Sequence, residues 1–221
     1  LPFDQKGCNT FARTNSTTDL TLATCYYTMM YGQYEKAGKS YYIIQTDKNW
    51  TAFSNLVATG QSVNAILSTD LTITDMVGTE SKPFTGIFDG NGHTLTTNIK
   101  GSGSFAAPFS YVGDAEIKNV TVKGSVEGGI HSAGLVGRSA NGKNVIISNV
   151  HVSSSISTTN KYAGGFVGHG STSNHTINNC RFDGTITARG GSPSYAGAII
   201  GWEDGGTSNK ITNCYENGKY V

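Results

Sequence analysis

A short pattern returns four times along the chain, and a repeat of its period restricts the fold more than any other feature. Aligned on the closing glycine, the copies are Tyr111-Val112-Gly113, Leu135-Val136-Gly137, Phe166-Val167-Gly168 and Ile199-Ile200-Gly201, each preceded by a small residue (Ser110, Gly134, Gly165, Ala198). A second pattern, I-x-N-[VC], follows each copy at 117–120, 147–150, 177–180 and 211–214. Its asparagines at 119, 149 and 179 are thirty residues apart, and Asn213 lies thirty-four further on. Units of this length cannot bury an apolar face alone, so they stack and share one core.

Within the unit, apolar residues such as Ile147, Val150, Val152 and Ile156 follow strand spacing, separated by Gly, Ser and Asn, with no helical periodicity. A propeller blade needs about 40 residues and four strands, and a leucine-rich repeat needs a denser leucine ladder. The expected fold is therefore all-β, a right-handed parallel β-helix over residues 61–221. The 29 glycines supply its turns. Residues 41–60 differ: YYII is strand-like, Thr46 or Asp47 can cap a helix, Trp50, Phe53, Leu56 and Val57 share one face, and Gly60 ends it. This predicts a short N-terminal α-helix that covers the open end of the solenoid. Residues 1–40 are an N-terminal extension or the tail of a preceding repeat, since Leu22-Ala23-Thr24-Cys25 is similar to Ile211-Thr212-Asn213-Cys214.

With 14% charged residues and a formal net charge of +1, nothing attracts nucleic acid. No run approaches the roughly 18 apolar residues of a membrane span, so no membrane insertion is expected, and the start LPFDQKGC lacks the apolar core of a signal peptide. Gly90 and Gly92 around Asn91 mark a tight corner in GIFDGNGHTL, with Asp89 as its turn residue and calcium ligation there as the alternative.

The combination of FDGNGHTL, repeated G-[LF]-V-G and recurring I-x-N-C resembles the GLUG-type repeats of secreted and surface-anchored bacterial proteins. Such repeats occur in non-catalytic regions of IgA-cleaving metallopeptidases and in adhesin-like proteins. The likeness covers about residues 40–221, with Gly134 to Gly137 and Gly165 to Gly168 nearest the motif and Gly201 a looser copy. It implies an extracellular β-helix, secreted or at the cell surface, beside neighbouring domains of a larger surface protein. It implies no ligand, and without H-E-x-x-H the peptidase activity does not carry over.

The residues after each closing glycine, Asp114, Arg138, His169 and Trp202, should stack in one column. Those six before it, Ala107, His131, Tyr162 and Tyr195, should stack in a second. Aromatic faces beside planar polar groups suit sugar rings, so Tyr162, Tyr195, Trp202, His169 and Arg138 are the candidate ligand-binding residues for a glycan or host-surface protein. The plainer alternative is a structural ring ladder. No catalytic set stands out. The weak candidates are Glu203, Asp204 and Asp183, which would have to converge as the paired carboxylates of a carbohydrate-active enzyme, about 5 to 9.5 Å apart. No nucleophile turn of G-x-S-x-G type is present.

Repeat alignment puts Cys180 and Cys214 in the core column of Val120 and Val150, as free thiols, while Cys8 and Cys25 form a candidate bridge. No C-x-x-C or paired histidine spacing suggests zinc, and no cofactor is expected. Stacked asparagines can pass side-chain hydrogen bonds from rung to rung, which accounts for that column without glycosylation at the sequons of Asn15, Asn49, Asn119 and Asn174. The sequence as a whole predicts a monomeric, non-enzymatic adhesin-like module, with an enzyme fragment or a ligand-free spacer as alternatives.

Overall fold

A computed structural model describes residues 33–221 apart from 102, 191–193 and 206–207. The described chain opens with a hairpin, β1 (Gln33–Lys36) antiparallel to β2 (Lys39–Ile44), turned by Ala37 and Gly38 at φ 51° and 72°. Two successive positive φ values match the twist of a two-residue hairpin. β2 begins at Lys39, so the strand crosses the expected boundary between residues 40 and 41. The proposed bridge of Cys8 with Cys25 and the likeness at 22–25 lie outside the described residues.

Helix α1 (Asp47–Ala58) follows, capped by Thr46, whose hydroxyl accepts from the Asn49 amide. Trp50, Phe53 and Val57 are buried, and Leu56 is half-buried. Trp50 meets Phe53, Phe88 and Phe109 edge-on, each at 5.8 Å between centroids. Its indole N–H donates to the Asp75 carbonyl, 2.9 Å away. The helix covers the end of the core, as its periodicity predicted.

β3 (Ala65–Leu67), β4 (Leu71–Ile73), β5 (Ile87–Asp89) and β6 (Thr94–Lys100) begin the stack. Four coils then repeat one path. The first holds β7 (Phe105–Ala106), β8 (Phe109–Val112) and β9 (Ala115–Gly128). The second holds β10 (His131–Ala133), β11 (Val136–Ser139), β12 (Asn144–Val152) and β13 (Ser155–Thr158). The third holds β14 (Tyr162–Gly164), β15 (Val167–His169), β16 (Asn174–Asn178), β17 (Arg181–Phe182) and β18 (Thr185–Ala188). The fourth holds β19 (Tyr195–Gly197), β20 (Ile200–Trp202), β21 (Lys210–Thr212), β22 (Tyr215–Glu216) and β23 (Lys219–Tyr220). Every pairing between coils is parallel, which makes a β-solenoid of about four turns. β7, β10, β14 and β19 form one small sheet, β8, β11, β15 and β20 a second, and the remaining strands a long third. Inward residues such as Ile117, Ile147 and Ile177 stack in one continuous core. No helix among the described residues is long and apolar enough to cross a membrane.

The asparagine column forms as expected. Asn149 donates to Asn119 Oδ1 at 3.0 Å and Asn179 to Asn149 Oδ1 at 2.7 Å, while Asn213 turns instead to Asn178. All four sit at φ 53–55°, a left-handed corner that asparagine tolerates. The ladder starts at Asp89, which accepts from Asn119, from the Asn91 amide and from Lys36 at 2.9 Å. Burial pushes the Asp89 carboxyl up, but these donors outweigh it and hold it below the ordinary range. The ammonium of Lys36 thus stands where the sequence left room for calcium.

The register corrects the alignment of the first copy. Phe109 pairs with Val136 and Tyr111 with Arg138, while His131 pairs with Phe105. Tyr111 and Phe105, not Asp114 and Ala107, therefore head the two columns. Asp114 starts a second ladder instead, accepting from the Asn144 amide at 2.9 Å, and Asn144 accepts from Asn174 at 3.3 Å. Cys180 is buried and Cys214 half-buried, and both are free thiols. Burial pushes the Cys180 thiol up to about 11. In the fourth coil Glu216 takes the register position of buried Phe182, and this coil carries the exposed Ile211, Tyr215 and Tyr220.

Candidate functional site: an aromatic ladder between two small sheets

In the third coil Tyr162-Ala163-Gly164-Gly165-Phe166-Val167-Gly168-His169 folds at its paired glycines, so that the arm of β14 lies against the arm of β15. A Cβ at Gly164 would come within 1.8 Å of the Val167 carbonyl, which is why this corner needs glycine. The closing glycine has a related reason. A Cβ at Gly137 would sit 2.7 Å from the Ser110 carbonyl and 3.0 Å from Phe105 Cβ, and one at Gly168 2.8 Å from the Gly137 carbonyl. Removing the side chain there lets the two arms close until the residues flanking them meet.

Parallel in-register pairing then stacks those residues at about the 4.8 Å strand spacing. On the first arm His131 lies 5.2 Å from Phe105, 4.8 Å from Tyr162 and nearly parallel to it at 6°, and Tyr162 lies 5.5 Å from Tyr195. The second arm interleaves with the first. Arg138 covers Phe105 at 5.4 Å, His169 stacks on His131 at 4.6 Å, and Trp202 rests on Tyr162 at 5.1 Å and Tyr195 at 4.9 Å. All five candidate ligand-binding residues, Arg138, Tyr162, His169, Tyr195 and Trp202, belong to this one ladder. Phe105 and Tyr111 belong to it as well and were missed. The other coils space the two ladder residues seven apart, whereas Phe105 and Tyr111 are six apart. An aromatic pair at that spacing was the available signal.

Burial divides the ladder. Tyr111, His131 and His169 are 5%, 8% and 7% exposed, so this part packs as interior. Tyr162, Tyr195 and Trp202 are half-buried and reach the surface. Burial, then the neighbouring charges of His169 and Arg138, push His131 down to about 3. Burial likewise lowers His169, although Asp204 Oδ2 lies 3.0 Å from its Nε2. Asp204 also accepts from the Trp202 indole at 3.1 Å. Burial raises its carboxyl, and the Trp202 and His169 contacts overcome that and hold it low. Arg138 Nε donates to Ser171 Oγ at 3.0 Å. The ladder is thus pinned by polar contacts on its outer side.

The three candidate acids make different hydrogen bonds. Asp204 serves the ladder. Glu203 accepts from Asn209 at 2.6 Å and lies 3.3 Å from His175 Nδ1. Asp183 holds His151 at 2.7 Å and Arg181 Nε at 2.5 Å on the long sheet. Ser139, His175 and Glu203 fall in the order of a serine-histidine-acid relay, with His175 Nε2 3.0 Å from Ser139 Oγ. Ser139 and His175 are fully buried, however, so no substrate can reach the hydroxyl. The set is a polar plug in the core, and Gly170 leaves room for it, since a Cβ there would lie 2.9 Å from His175 Cε1. Among the described residues no group of three or more His, Cys, Asp or Glu side chains is arranged to hold a metal ion.

No known family model, curated protein or solved structure matches the chain.

Proposed function

We propose that the chain is a non-enzymatic, adhesin-like module of an extracellular bacterial protein that binds a carbohydrate over Tyr162, Tyr195 and Trp202. The observation that carries the reading is the meeting of these three half-buried rings at one end of a rigid ladder. Apolar ring faces suit the C–H faces of a sugar, and the Asp204 carboxylate beside Trp202 offers an acceptor for its hydroxyls. His169 stacks beside Tyr162 at 6.3 Å, and Arg138 lies over Phe105 and Tyr111 at the other end of the ladder, away from this ligand. The likeness to GLUG-type repeats supports the bacterial, extracellular setting.

A glycan-array screen of the 221-residue chain, run beside a Trp202→Ala, Tyr195→Ala double variant, tests this. Specific binding that disappears in a folded double variant is the expected result. Absence of binding across the array would overturn the sugar reading and favour a spacer or a module that binds a host-surface protein. The second reading, a spacer that binds nothing, is favoured by the contacts of the rings with one another, because a stacked ladder stiffens a solenoid without any ligand. Binding retained by the double variant would overturn both readings, since the ligand would then sit away from the rings.

A further inference from the structure

A second surface of different chemistry lies on the long sheet. The left-handed corners at Asn119, Asn149 and Asn179 bend this sheet into an outer groove of about 410 Å³, with the asparagine ladder as its floor and His151 and Arg181 on its wall. Thr121, His151, Arg181 and Tyr215 occupy one register column, so the wall turns from small to cationic to aromatic along the solenoid axis. The ladder engages one N–H of each asparagine amide, and one oxygen lone pair of Asn119 and of Asn149. An amide carries two N–H groups and two lone pairs. Each coil therefore keeps hydrogen-bonding capacity for a ligand at a spacing of about 4.8 Å, the pattern an extended polyhydroxylated chain requires.

The wall adds a charge preference. Asp183 Oδ2 receives both His151 Nε2 at 2.7 Å and Arg181 Nε at 2.5 Å, which fixes two side chains with one carboxylate. The Arg181 side chain is more than half exposed, and its guanidinium lies 5.5 Å over the Tyr215 ring, which is itself 57% exposed. A guanidinium held at its Nε edge still presents its outer N–H groups, whose fork matches a carboxylate. The geometry points to a binding groove for an acidic oligosaccharide, its uronate carboxylate on Arg181, its hydroxyls on Asn149 and Asn179, and a sugar face on Tyr215. This site is separate from the aromatic ladder and does not depend on it.

Calorimetric titration of the 221-residue chain with a uronic-acid tetrasaccharide, and with the same oligosaccharide reduced at its carboxyls, tests the groove. The acidic form should bind and the reduced form should bind about tenfold more weakly or not at all, as loss of a charge-assisted pair requires. Arg181→Ala should weaken the acidic ligand to the same degree, and Tyr215→Ala should weaken both forms together. The Trp202→Ala, Tyr195→Ala variant should leave this binding unchanged, so failure of the groove and failure of the ladder give different results. Should Arg181→Ala unfold, Arg181→Gln carries the same comparison. Equal affinity for the two oligosaccharides, no binding of either, or full binding by a folded Arg181 variant would each overturn the proposal.

Discussion

His131 shows how a residue that could serve a ligand is used up by packing. It is stacked between Phe105 and Tyr162, lies against His169, and is pushed down to about 3 by burial. A histidine whose folded pKa lies below its unfolded value binds protons preferentially in the unfolded state. Its contribution is therefore fully present above about pH 6.5 and declines as the pH falls toward 3, at up to about 1.4 kcal/mol per pH unit. His169 and His175 are lowered in the same direction by burial. Replacing His131 by phenylalanine keeps the stack and removes the proton site. Urea denaturation between pH 7 and pH 5 should then show a smaller loss of stability for His131→Phe than for the parent chain. Equal losses would mean that the buried imidazole is not the acid-sensitive group.

At the scale of elements, the ladder corner is the device that fixes the coil. Asn149 supplies a left-handed backbone and two ladder hydrogen bonds in one residue. Asn149→Ala loses the left-handed preference and both of its ladder hydrogen bonds, to Asn119 and from Asn179, and should cost about 3 to 4 kcal/mol, from about 1 kcal/mol for each hydrogen bond and 1–2 kcal/mol for an alanine held left-handed. Asn149→Gly loses only the hydrogen bonds and should unfold at a higher urea concentration than Asn149→Ala. Equal midpoints, or the reverse order, would show that the left-handed dihedral does not limit the corner. Helix α1 and the coil architecture were legible in the sequence because caps, apolar spacing and the thirty-residue period are local signals. The columns of Tyr162, Tyr195, His169, Trp202 and Arg138 were legible for the same reason. What escaped was set by packing. The first coil has Pro108-Phe109-Ser110 where later coils have an apolar pair and glycine, and the nearby Gly113 offered a false match. Gly113 is small because of Thr85, whose Cγ2 lies 2.8 Å from where its Cβ would be. The closing of the two arms, which buries His131 and His169, depends on contacts between coils that no single repeat displays.

Across the whole molecule each coil touches mainly its neighbours, so stability is close to a sum of coil and interface contributions. The two ends differ. The N-terminal end is covered by Trp50 and Phe53, both buried, while the fourth coil holds Glu216 at the position of Phe182 and exposes Ile211, Tyr215 and Tyr220. Opening should start from the less buried end. Native-state hydrogen exchange is expected to show the slowest amides in β9 and β12 and the fastest strand amides in β21–β23. Uniform protection across the coils would instead indicate a single all-or-none unit. The ladder crosses these coils, so loss of the fourth would also uncover Tyr162.

The stacked thiols of Cys180 and Cys214 bear on chemical durability. A thiol reacts with oxidants and electrophiles as its thiolate, and a pKa near 11 leaves only about one Cys180 in ten thousand in that form at neutral pH. The side chain is also buried, with its S–H directed at the carbonyl oxygens of Ile147 and Asn178. Burial and this high pKa together make Cys180 a slow target for oxidants and electrophiles, so that it serves the third coil as a space-filler.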